Sequence, residues 1–156
     1  MVTKKELLVV SHLRNNSRET LTKLSKKTNV PISTLHDKLK GNCGEVIQKN
    51  VALIDFSKVG FHCRAYITMR VNKKQRNDIR EYLEKQQELN TLLRINNGYD
   101  FLVEGVFRNI NEMEMFIERL DEKFDIKEKK VYHVINNIKQ EAFMNSPESM
   151  ELLGIT

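Results

Sequence analysis

The chain contains no tryptophan and only two prolines, two cysteines and six glycines in 156 residues. So little proline and glycine excludes collagen-like and low-complexity chains, and 40% apolar with 30% charged residues is globular composition. Cys43 and Cys63 are too few and too far apart for a disulfide framework or a thiolate metal cage, so both are read as reduced thiols. The longest apolar run, residues 7–10, falls far short of the ~20 residues of a membrane helix. The opening Met-Val-Thr-Lys-Lys-Glu has no apolar stretch followed by a small-residue cleavage site. A cytoplasmic protein with no membrane partner is the expectation. Chemistry is equally sparse: His12, His36, His62 and His133 share no metal-ligand spacing, and no phosphate-binding glycine loop or nucleophile elbow occurs. No catalytic residue, metal or cofactor is therefore expected.

What is present is an asymmetry of charge. Residues 1–50 carry ten Lys or Arg against four Asp or Glu, a net +6, whereas residues 51–156 carry sixteen against seventeen, a net −1. A basic module joined to a near-neutral one favours a polyanion partner for the first and another task for the second.

The basic third reads as three helices. Thr3 and Glu6 stand in capping-box register ahead of Leu7, Val10 and Leu13, and this helix should end near Asn15 to Ser17. A second helix begins near Glu19 or Thr20, buries Leu21 and Leu24, turns Lys23, Lys26 and Lys27 outward, and stops at Asn29 before Pro31. The third begins around Ile32, giving helix-turn-helix spacing. At 100° per residue Ile32, Leu35 and Leu39 share one sector, the expected buried face. Ser33, Thr34 and Asp37 lie opposite, flanked by Lys38 and Lys40. Hydroxyls can reach base edges and lysines can neutralise phosphates, as a groove-reading helix requires. Asp37 repels phosphate unless it accepts from a cytosine amino group or pairs with a neighbouring lysine. Arg18, Lys23, Lys26, Lys27, Ser33, Thr34, Asp37, Lys38 and Lys40 are accordingly the candidate contacts to double-stranded DNA. Gly41, Asn42 and Gly44 end the helix, and Val46, Ile47 and residues 51–54 suggest a strand or short wing.

The remainder alternates strands and helices. Cys63, Ala65, Ile67, Met69 and Val71 alternate with polar residues in a half-buried strand, and residues 72–87 are helix-like around Ile79 and Leu83. Residues 92–96 and 99–108 are strands joined by an Asn97, Gly98 hairpin. Asn111 can cap a helix bearing Met113, Phe116, Ile117 and Leu120, and residues 130–138 close with a strand. The order β-α-β-β-α-β is that of a ferredoxin-like sandwich, with both helices on one sheet face. Tyr66, Leu102, Val106, Tyr132 and Val134 would project from the other face, which a second subunit should cover. Residues 143–156 form a tail.

Across roughly residues 3–142 the chain resembles the Lrp/AsnC family, the feast/famine transcription regulators. The carrying stretches are Leu24-Ser-Lys-Lys, the run from Ile32 to Lys40, Val46-Ile47 leading into residues 52–55, Val59-Gly60-Phe61, and the run from Asn97 to Phe101. The resemblance implies an α+β chain: an N-terminal winged helix-turn-helix at 1–50, a linker at 51–60, and a C-terminal ferredoxin-like βαββαβ sandwich domain at 61–142 for ligand sensing and oligomerisation. It implies a homodimer that can assemble into an octamer. It also implies an amino-acid effector, placed here at Asn97, Gly98, Tyr99 and Asp100. The sequence departs from the family pattern at Gly41-Asn42-Cys43-Gly44, at Pro31 and at Asn97. From the residues themselves, Tyr99 and Asp100 admit either effector contact or a packed tyrosine with an aspartate satisfying turn amides. The expected function is a sequence-specific DNA-binding transcription regulator that is not an enzyme. The alternatives are a subunit similar to siroheme decarboxylases, with a His or Arg cluster over the exposed sheet face, and a metabolite sensor without DNA binding.

Overall fold

The computed structural model describes residues 2–154. They divide into two compact units: one combines residues up to 53 with those from 138 onward, and the other is Ile54–Asn137.

The first unit is helical. Helix α1 (Lys4–Asn15) starts at a complete capping box, in which Thr3 accepts from the Glu6 backbone and the Glu6 carboxylate accepts from the Thr3 N–H. Helix α2 (Leu21–Thr28) is capped by the Thr20 hydroxyl and ends at Asn29, whose φ of 54° is left-handed, as the sequence predicts for the turn. Helix α3 (Ile32–Lys40) follows Pro31 without a side-chain cap. Val9, Leu24, Val30 and Leu35 form the core, with Leu13, Leu21 and Leu39 packed beside it.

Two expectations change here. Ile32 is not buried with Leu35 but 46% exposed. It is the first residue of α3, and Cβ atoms tilt toward a helix N-terminus, so its side chain leans off the end rather than onto the core. The strand or wing at Val46-Ile47 and 51–54 does not form. Gly41 breaks α3, and residues 42–46 wind into a short helix α4 (Asn42–Val46) that buries Cys43 against α1. Val51, Leu53 and Ile54 then run exposed and unpaired into a 3-10 turn at Phe56–Val59.

The tail also takes on structure. Ser146 and Ser149 make a second capping box ahead of α7 (Pro147–Leu152), whose Met150 is fully buried and which packs on α1. Arg14 of α1 donates from Nε to the Phe143 carbonyl and pairs with Glu141 at 2.8 Å. Glu141 and Met144 adopt positive φ (49° and 56°), a region side chains other than Gly, Asn and Asp rarely enter.

The second unit is a four-stranded antiparallel sheet, order β2-β3-β1-β4, with β1 (Cys63–Val71), β2 (Leu89–Arg94), β3 (Phe101–Phe107) and β4 (Ile126–His133). Helices α5 (Arg76–Glu84) and α6 (Ile110–Lys123) cover one face. Ile79, Leu83, Met113, Phe116, Ile117 and Leu120 meet the inward residues Ala65, Ile67, Met69, Phe101, Val103 and Phe107 in one apolar core. This is the βαββαβ order read from the sequence.

Several boundaries shift. Asn72 opens a 3-10 turn (Lys73–Gln75) before α5, and α5 stops at Glu84 rather than 87. Strand β2 starts earlier, at Leu89. Asn109 rather than Asn111 caps α6, accepting from the Glu112 N–H at 3.0 Å, because only Asn109 lies three residues before the amide it satisfies. Strand β4 lies at 126–133 rather than 130–138. Its charged residues 127–130 hide the alternation, and they are tolerated because Lys129 pairs with Asp121 and Glu128 with Arg70.

Candidate functional site

Helix α3 presents Ser33, His36, Asp37 and Lys40 to solvent, while Thr34 and Lys38 are half-buried and Leu35 anchors the opposite side. The short left-handed turn at Asn29 and the fixed φ of Pro31 set α3 against α2. The flanking cations separate into two kinds. Lys27 is paired with Glu19 at 2.8 Å, and Lys38 with Glu6 at 2.9 Å. Arg18, Lys23, Lys26 and Lys40 have no ion-pair partner among the described residues. Asp37 does not pair with a lysine; its one near partner there is His36, 3.7 Å away, and its side chain is 83% exposed.

Behind α3 lies a polar cluster that the sequence reading did not anticipate. The Glu6 carboxylate is nearly buried. Its Oε2 accepts from the Thr3 N–H (2.7 Å) and hydroxyl (2.9 Å), and its Oε1 accepts from Lys38 Nζ (2.9 Å) and Asn42 Nδ2 (3.3 Å). The backbone N–H of Thr3, then Lys38 and the Thr3 hydroxyl, hold its pKa down at about 2 against burial, which opposes them. The capping-box register had marked Glu6, but its second partner is 32 residues away and leaves no local pattern.

In the sheet unit, the helix-free face carries Tyr66, Leu102, Val106, Leu93 and Tyr132 around a buried Glu104. Burial pushes the Glu104 carboxyl up, but hydrogen bonds from Asn90, Thr91 and Arg64 outweigh it and hold the pKa below the usual value. Arg70 and Lys130 on the same face pair with Glu128. This face is amphipathic rather than wholly apolar. Glu104 was not among the residues the sequence singled out; alternation puts it outward between Leu102 and Val106, but its pairing leaves no local signal. Among the described residues, no group of three or more His, Cys, Asp or Glu could hold a metal ion.

The β2–β3 hairpin places the remaining candidates together. Asn97 (φ 60°) and Gly98 (φ 86°) are both left-handed, the geometry of a two-residue turn whose twist matches the strands. Asp100 is buried beside them and already engaged: it accepts from the Val71 N–H at 2.9 Å and pairs with Arg76 at 2.6 Å. Tyr99 donates its hydroxyl to Glu128 at 2.6 Å, which lowers the Glu128 pKa, and Lys130 lies over its ring at 5.4 Å. Asp100 thus ties the hairpin to β1 and α5, satisfying a strand amide rather than the turn amides of the structural alternative, and Tyr99 ties it to β4. Arg76, the cationic partner of Asp100, had no motif to mark it.

Comparison with known proteins gives a consistent picture. The family model for the Lrp/AsnC ligand binding domain matches residues 64–143. An uncharacterized HTH-type transcriptional regulator of Pyrococcus horikoshii is 24% identical over 140 residues, 89% of this chain and 94% of that protein. HTH-type transcriptional regulator FL11 of the same organism is 26% identical over 111 residues, 70% of this chain and 74% of the relative. Among solved structures, a Neisseria meningitidis transcriptional regulator in complex with L-Met superposes with a TM-score of 0.82 at 19% identity, covering 90% of this chain and 94% of that one. E. coli AsnC does so with a TM-score of 0.80 at 16% identity, covering 92% and 99%.

Proposed function

The chain belongs to the Lrp/AsnC family of transcription regulators, and from that premise we propose that its helical unit binds duplex DNA with α3 in the major groove. Ser33 and Thr34 would face base edges, while Arg18, Lys23, Lys26 and Lys40 sit against phosphates and Lys27 stays with Glu19. The observation that carries this reading is the exposed polar face of α3 beside cations that no acidic group neutralises, in a unit whose first 50 residues carry a net +6. Asp37, exposed and free of any lysine, suits a cytosine amino group. Selection from random duplex DNA tests this: an enriched motif is expected, and recovery of no motif above background contradicts sequence-specific binding.

Two copies of α3 about one helical turn of DNA apart require a dimer. The helix-free sheet face, with half-exposed Tyr132 and Leu93 around the Glu104 cluster, is the surface we assign to it; an octamer would add further interfaces. For the effector we keep the loop 97–100, with altered roles. Asp100 is spoken for by Arg76 and Val71, so an amino acid would meet the exposed Asn97 and Gly98 backbone, with Tyr99 and Asp100 holding the loop's shape. The L-Met complex of the Neisseria relative supports an amino acid as the class to test. Thermal-shift screening of the twenty amino acids should show at least one raising the melting temperature at millimolar concentration. If none does, the regulator is effector-independent.

A further inference from the structure

We propose that Glu6 is the positioning residue of the recognition helix and that Lys38 is its strut rather than a phosphate contact. The assignment rests on the reading of α3 as the groove helix. Helix α3 is weakly held by apolar packing: of its nine residues only Leu35 is buried, Ile32 has swung out, and Pro31 gives it no side-chain cap. Its C-terminal turn is fixed by polar contacts instead. One carboxylate on α1 takes the Lys38 ammonium from α3 and the Asn42 amide from α4 on the same oxygen, across the break at Gly41. The Glu6 carbonyl also receives the Cys43 thiol. Three residues that follow one another around the end of α3 thus converge on a single residue of α1.

The energetics keep Lys38 where it is. The Glu6 side chain is 4% exposed and the Lys38 side chain 24% exposed. A lysine that left Glu6 for a phosphate would abandon a buried carboxylate, which is strongly unfavourable. Lys40, two residues on, is exposed and without such a partner. Neighbouring lysines on one helix therefore have different tasks: Lys40 releases counterions from DNA, and Lys38 sets the angle at which Ser33 and Thr34 meet the groove.

Salt dependence separates these tasks. Affinity falls with salt, and each phosphate neutralised adds about 0.9 to the magnitude of the slope of log affinity against log salt, hereafter the slope. For the full-length protein on its selected duplex, Lys40→Ala should lower the slope by about 0.9. Lys38→Met should leave it unchanged while cutting the ratio of selected to scrambled affinity by about tenfold, the size of one lost base contact. Glu6→Gln frees the Lys38 ammonium and should raise the slope by up to about 0.9 while reducing the same ratio. A merely structural role would not raise it. If Lys38→Met fails to fold, Glu6→Gln and the double variant Glu6→Gln/Lys38→Met carry the test, the double variant returning the slope to the wild-type value. A Lys38→Met slope that falls as far as that of Lys40→Ala, or a Glu6→Gln slope equal to wild type, overturns the assignment. Wild-type protein with no affinity for any duplex overturns the DNA-binding reading, and this assignment with it.

Discussion

The two units are stabilised by opposite means. The sheet unit closes around fourteen buried apolar side chains contributed by every layer. The core cluster of the helical unit has four, with Val10, Cys43 and Met150 buried outside it, and the unit fills out its stability with caps, the Glu6 cluster and a borrowed C-terminal segment. The contrast follows from charge: a short helical module that must present cations and hydroxyls has few positions left for a core. Its polar ties do what packing does elsewhere, and they fix orientation more sharply than apolar contacts can.

Cutting into the larger core should have the largest effect. Phe116 is fully buried and its ring lies 5.6 Å from that of Phe107. Phe116→Ala should cost about 3–5 kcal/mol, read as a fall in the denaturation midpoint, with hydrogen exchange accelerated through β1 and β3. A loss below about 1 kcal/mol would contradict the core assignment.

The tail tests the other half of the contrast. Met150→Ala removes a fully buried side chain and should cost about 2–5 kcal/mol, with exchange accelerated first at α1 and α7. If protection of α1 is unchanged, the tail does not belong to the helical core.

The subtlest effect is that of pH. Glu6 is held at about 2 against an ordinary 4.5, so in acid the unfolded chain takes up the proton first. Its contribution is therefore complete above about pH 5 and lost as pH falls toward 2. Glu104 is shifted in the same direction and acts likewise in the sheet unit. Glu6→Gln should flatten the acid dependence of α1 and α3 protection and leave that of β1 and β3 as in wild type. Equal flattening in both units would remove the distinction.

The sequence made the fold legible wherever signals were local. Thr3 with Glu6, Asn29 before Pro31, the alternation from Cys63 to Val71 and the Asn97, Gly98 pair each act within a few residues, and each appears as read. Readings failed where a distant partner decides. Residues 42–46 looked like the approach to a wing, but burying Cys43 against α1 winds them into a helix. β4 was displaced because Arg70 and Asp121 satisfy charges that conceal a strand. Within the candidate site, the polar face of α3 was visible from angles alone. The division of its lysines was not, because Glu6 lies 32 residues before Lys38. Asp100 shows the same limit: its place in the hairpin suggested an effector or turn amides, and the fold supplies Arg76 and the Val71 N–H.

The central claim is that the helical unit meets DNA through cations left unpaired around α3. The most direct measurement is the affinity of the full chain for its selected duplex across a salt series, for wild type and for Lys23→Ala/Lys26→Ala/Lys40→Ala. With three phosphate contacts removed, the log-log slope should fall by about 2.7 and affinity should drop on every sequence. A triple variant with wild-type affinity and wild-type slope would contradict the claim.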